Sequence, residues 1–156
     1  MPRTLQNELK KRGPFDSVEQ EAMLALMRTT DLLENRIARL FREYGLTLTQ
    51  YNVLRILRGE GKPMPCLEVA ERMIQVAPAI TRVVDQLLKL KLITKTQSST
   101  DRRIFEIELT TAAAKLLKKM DQPVLDLHAS LLSSTKKSDL RMMISTLEVI
   151  RNSVPG

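Results

Sequence analysis

The hydrophobic period of this chain changes character once and then changes back. Up to Leu90 apolar residues recur every three or four positions, over 92–109 they alternate, and from residue 111 the helical spacing returns. A chain of 156 residues with that pattern predicts a mainly α domain with one small β-hairpin.

A basic arm, residues 1–15 with Lys10, Lys11 and Arg12, is expected to be mobile or ordered by a partner. The first long helix is expected after Gly13-Pro14. Ser17 with Gln20 resembles a capping box, Glu19 and Glu21 suit the first turn, and an apolar stripe runs from Ala22 to Tyr44 before Gly45. Thr47 and Gln50 offer a further capping box, ahead of the stripe Leu48, Tyr51, Leu54 and Leu57 and the stops Gly59 and Gly61. Pro63-Met64-Pro65 reads as a short edge strand, and residues 67–73 as a short helix.

Residues 78–90 say most about function. Ile80, Val83, Val84, Leu87 and Leu90 share one face; Pro78, Arg82, Asp85 and Lys89 share the other, flanked by Ala79, Thr81 and Gln86. Leu92–Thr96 and Phe105–Leu109 then read as two strands joined by a turn, Ser98–Asp101, and a basic tip, Arg102-Arg103. Helix, helix, short strand, helix, helix, hairpin is the order of a winged helix-turn-helix. Helix resumes after Thr110. Pro123 is expected to kink or interrupt it, and a final helix from Ser134 or Thr135 carries Leu140, Met143, Ile144, Leu147 and Ile150 on one face.

Charge and composition narrow the function. Lys and Arg number 25 against 18 Asp and Glu, a formal charge of +7, which suits a polyanion or an anionic surface. No apolar run reaches the roughly 18–20 residues of a membrane span, and the first residues lack the apolar stretch of a signal peptide. One cysteine, Cys66, and one histidine, His128, provide no disulfide framework, zinc site or Ser-His-Asp triad, and five glycines form no phosphate loop. The expectation is a cytoplasmic, nucleoid-associated protein with no enzymatic activity, no cofactor and no bound metal.

In order and spacing, the segments LEVAERM (67–73), AITRVVDQL (79–87), Leu92-Ile93, STDRR (99–103) and Leu109-Thr110 resemble the MarR family of bacterial transcription regulators. The resemblance covers about residues 18–152 and is strongest over 66–117. It implies a homodimer held by helices from 16–46 and 111–156, through residues such as Leu140, Ile144, Leu147 and Ile150. Each protomer's winged helix, residues 47–110, would read half of a pseudo-palindromic operator in double-stranded DNA. The function it implies is a repressor relieved by a small ligand, with phenolic or other aromatic anions as the ligand chemistry. A constitutive repressor without ligand, and a winged helix turned to docking protein, are the alternatives.

The expected DNA contacts are Pro78, Ala79, Thr81, Arg82 and Gln86 on the recognition helix and Lys95, Arg102 and Arg103 on the wing, set against the plainer reading of a solvated basic face. By the family's pattern Arg103 enters the minor groove and Asp101 orients it; arginine there favours narrow A·T-rich DNA. Asp85, facing the same way, is expected to orient Arg82 or a wing arginine, with a solvent-facing carboxylate as the alternative. Met23, Met27 and Thr30, with Tyr51 and Arg55 as polar anchors, are the candidate ligand pocket, although methionines at helical spacing are more often core. Cys66, just before the short helix, is an oxidant switch only if its pKa is lowered. Three residues depart from the family pattern: Lys91 and Ala113 where glycine is usual, and Pro65, which has no oxygen to cap the short helix.

Overall fold

The computed structural model describes residues 3–75 and 79–155. The chain divides into two compact units, residues 1–119 and 120–156, the division falling inside one long helix.

Among the described residues the first unit opens on a single helical turn, α1 (Leu5–Glu8), in the segment expected to be mobile or ordered by a partner. Local bonds explain the order. Thr4 caps the turn through the Asn7 N–H, the Gln6 amide donates to the Lys11 and Gly13 carbonyls, and Lys11 lies 5.5 Å over the Phe15 ring. The long helix α2 (Val18–Glu43) follows. Ser17 accepts from the Gln20 N–H as expected, but the Gln20 side chain reaches one residue further back, to the Asp16 N–H. Gly45, at φ +75°, closes α2: its N–H bonds to the Arg42 carbonyl and that of Leu46 to the Phe41 carbonyl. Phe41 and Leu46 are both buried at this corner.

α3 (Leu48–Glu60) carries the complete Thr47–Gln50 capping box and ends at Gly61, φ +70°. β1 (Met64–Pro65) leads directly into α4 (Cys66–Glu71), which has no side-chain cap at Pro65 and stops two residues before Met73. α5 (Ile80–Lys89) precedes the hairpin β2 (Ile93–Gln97) and β3 (Phe105–Leu109). β3 is central in the antiparallel order β1-β3-β2, with Ile107 opposite Met64 on one side and Lys95 on the other. Proline is tolerated at position 65 because β1 is an edge strand.

Apolar residues from each of these elements meet in one core: Val53, Leu54, Leu57, Met64, Val69, Val84, Leu87, Ile93 and Ile107 are all but sealed from solvent. Ala113 and Leu117, from the start of α6 (Thr111–Leu131), are sealed as well. Thr110 ties this helix start to the turn that follows α5. Its hydroxyl donates to the Lys91 carbonyl (3.0 Å) and accepts from the Ala113 N–H (3.2 Å).

α6 runs unbroken through Pro123, where an interruption was the alternative; the lost N–H removes one helical bond but not the helix. The other unit holds the end of α6 and α7 (Lys137–Ser153). No residue of α7 is buried, and Met142, Met143, Ile144, Val149 and Ile150 are exposed.

Candidate nucleic-acid interface

The core grips α5 by its apolar face. Val84 and Leu87 are buried, leaving Ala79, Thr81, Arg82, Asp85 and Lys89 exposed. Pro78, the remaining expected contact on this helix, lies outside the described residues. The helix ends in a tight reversal: the Lys91 N–H bonds to the Leu88 carbonyl and the Leu92 N–H to the Leu87 carbonyl. This closure forces a left-handed residue at 91, and Lys91 takes it with φ +57°. The strain expected from lysine in place of glycine is therefore present, at roughly 1 kcal/mol.

Gln86, expected among the DNA contacts, flanks the exposed face. It is half-buried, and its Oε1 accepts a bond from Gln50 Nε2 at 3.1 Å. Position 86 sits about a quarter turn from Leu87, at the margin of the apolar stripe, so one end of its amide faces α3. Asp85 pairs with neither Arg82 nor a wing arginine among the described residues, so the orienting ion pair expected of it is absent from the free chain. Its carboxylate is exposed instead.

The wing tip is ordered from within. Ser98, 7% exposed, lies under the turn; its N–H donates to the Ile104 carbonyl and its hydroxyl bonds with Thr100 Oγ1 and accepts from the Thr100 N–H. Asp101 Oδ1 accepts from the Arg103 N–H (3.0 Å), and the Gln97 amide donates to the Arg102 carbonyl. Asp101 thus positions the backbone of Arg103, not its guanidinium. Both arginine side chains are exposed. Lys95 was expected on phosphate; its ammonium lies 4.8 Å over the exposed ring of Phe105, a cation–π contact that holds it against the strand.

The five pocket residues do not converge within one chain. Tyr51 stacks on Phe41 with centroids 4.2 Å apart. Thr30, Met27 and Met23 lie 11 to 18 residues before Phe41 on α2, about 16–27 Å along the helix axis. All three are exposed, and Arg55 donates to the buried Asn52 (3.0 Å). Within one chain, therefore, the three α2 residues stand well away from Tyr51.

Cys66 is half-buried, and burial raises its thiol pKa despite the nearby Lys95 charge, the opposite of an activated thiolate. His128 is exposed on α6. Of the expected dimer contacts, Leu140 and Leu147 are half-buried while Ile144 and Ile150 are exposed. No group of three or more His, Cys, Asp or Glu side chains that could hold a metal occurs among the described residues. No helix among them is long and apolar enough to cross a membrane.

Sequence reasoning missed Gln50 and Ser98 as organisers of the site. Gln50 was visible only as a helix cap, its partner being 36 residues away, and nothing in the local sequence distinguishes Ser98 from any other turn serine.

Comparison with known proteins agrees with this architecture. A model of the MarR family matches residues 46–105, from the end of the α2 corner to the first residue of β3. A solved MarR transcription factor from Planctomyces limnophilus is 36% identical, with a TM-score of 0.67 over 87% of this chain and 99% of that one. The Bacillus subtilis regulator YpoP, an uncharacterised HTH-type transcriptional regulator, is 35% identical over 77 residues. That stretch is 49% of this chain, which thus spans about half, 54%, of that curated relative's length. The fold is also that of Bordetella bronchiseptica BpsR, solved in connection with regulation of its DNA binding by 6-hydroxynicotinic acid. The two are 20% identical, with a TM-score of 0.79 over 91% of this chain and all of that one.

Proposed function

Because this chain belongs to the MarR family, we propose that it is a sequence-specific DNA-binding transcription regulator that works as a homodimer. The observation that carries this reading is the pairing of α5, which exposes Thr81 and Arg82, with a wing whose basic tip is braced by Ser98 and Asp101. Bracing matters because an ordered arginine loses less freedom on binding than a floppy one. Thr81 and Arg82 would meet the major groove, Arg103 the adjacent minor groove, and Arg102 the phosphates. Ala79, at the head of α5, allows close approach of the backbone.

Dimerisation supplies the geometry. Two recognition helices must lie about 34–36 Å apart, one duplex turn, to occupy successive major grooves. The exposed apolar residues of α7, Ile144 and Ile150 among them, support pairing with another copy of the chain. We read the regulator as a repressor released by a small aromatic anion, a chemistry supported by BpsR and its 6-hydroxynicotinic acid. Such a ligand acts by binding better to a dimer whose helix spacing no longer fits DNA, and it shifts affinity by that difference.

The test is fluorescence anisotropy with the duplex upstream of the protein's own gene and a scrambled control, across a salt series. Specific binding that weakens steeply with salt is the expected result. Arg103→Ala should weaken it about tenfold and flatten the preference for A·T-rich flanks, leaving the dimer intact. Salt-independent binding, or an Arg103→Ala protein that binds as wild type does, would remove the wing from the interface.

A further inference from the structure

The direction in which Gln86 faces is set by a chain of hydrogen bonds that starts at a backbone group. The Thr47 N–H at the head of α3 can only donate, and it donates to Gln50 Oε1 at 3.0 Å. That leaves Gln50 Nε2 facing α5, where it donates to Gln86 Oε1 at 3.1 Å. Turning over either amide would set a donor against a donor, in a place where Gln50 is only 7% exposed and water competes poorly. The carbonyl end of Gln86 is therefore drawn to α3. Its Nε2 has no partner among the described residues.

We propose that Gln50 is a positioning residue for DNA reading: it holds Gln86 so that α5 presents an amide donor and withholds the amide oxygen. The contact then suits acceptor atoms, either phosphate oxygens or the O6 and N7 edge of guanine. It does not suit the two-bond contact to adenine, which needs the oxygen as well. This inference rests on the DNA-binding reading above and specifies the chemistry of one contact within it.

A double-mutant cycle tests it, using full-length dimer and duplexes selected by the wild-type protein from a randomised library. Gln50→Glu keeps an acceptor for the Thr47 N–H, so the helix cap survives, but offers no donor to Gln86. The Gln86 amide must then turn over and present its oxygen. Gln50→Glu should weaken binding about tenfold when Gln86 is present and about twofold or less in a Gln86→Ala background, where only the added charge acts. Thermal unfolding of each variant reads any structural loss separately. Gln86→Glu gives an independent reading, since its carboxylate still accepts from Gln50 yet turns an acceptor outward; it should bind more weakly than Gln86→Ala.

A loss spread evenly over all duplexes, with a shallower salt dependence, assigns the contact to phosphate; a loss confined to one position assigns it to a base. Equal losses from Gln50→Glu in both backgrounds would overturn the inference and leave DNA binding standing. So would a preference for adenine over guanine that vanishes in Gln86→Ala, or Gln86→Glu binding as well as Gln86→Ala. Failure of the wild-type protein to select any duplex would overturn the DNA-binding reading and the inference together.

Discussion

On α5 the apolar residues are consumed by their own chain: Val84 is 1% exposed and Leu87 not at all. On α7, Leu140, Ile144, Leu147 and Ile150 recur as regularly, yet Ile144 remains 52% and Ile150 41% exposed, and no residue of the helix is fully buried. The same kind of stripe has two outcomes because the winged helix brings six elements around one core, whereas α7 shares its unit with the end of α6 alone. The winged helix thus closes its core within one chain, while α7 leaves its stripe uncovered, the surface on which the proposed dimer rests. Large exposed apolar patches are uncommon on chains that act alone.

The largest effect should come from spoiling the self-contained region. Leu87→Ala removes a sealed side chain beneath the recognition helix and should cost about 2–5 kcal/mol, read by urea unfolding. A loss under 1 kcal/mol would show that the core does not hold α5. The opposite region should respond in the opposite way. Ile144→Asp alters a solvated residue, so protomer stability should change by only about 0.5 kcal/mol. Sedimentation should nevertheless show monomers, with operator affinity down about 100-fold once the two half-sites are no longer linked. A dimeric Ile144→Asp protein would break the comparison.

The smallest change sharpens it. Lys91→Gly relieves the left-handed residue after α5 and should stabilise the fold by roughly 1 kcal/mol, raising Tm by about 3 °C. The operator affinity should stay as it is, since the α5 closure keeps its shape. A fall in Tm would show that Lys91 makes stabilising interactions that outweigh its backbone strain.

Much of this architecture could be read from local signals. Thr47 with Gln50, Gly45, the strained Lys91 and the alternation around Ile107 each encode structure within a few residues, and each appears where its chemistry requires. What escaped the sequence was longer in range or finely balanced. Gln86 bonds across 36 residues to Gln50, a distance no periodicity reports. Met23 stands about 27 Å along α2 from Phe41, the residue on which Tyr51 of α3 stacks, a separation between two helices that the face of each does not report. Pro123 removes a single bond from a helix of 21 residues, which the remaining bonds tolerate. In residues 3–15, bonds made by the Thr4 and Gln6 side chains hold a helical turn that the basic composition does not announce.

In the proposed dimer, two winged helices, each closed within its own chain, are joined by the helices that a single chain leaves uncovered. Hydroxyl-radical footprinting of the wild-type protein on a selected duplex tests it most directly. The account predicts two equivalent protected half-sites centred about 10 base pairs apart, with flanking minor-groove protection that fades in Arg103→Ala. A single protected patch at saturation, unchanged by Ile144→Asp, would contradict it.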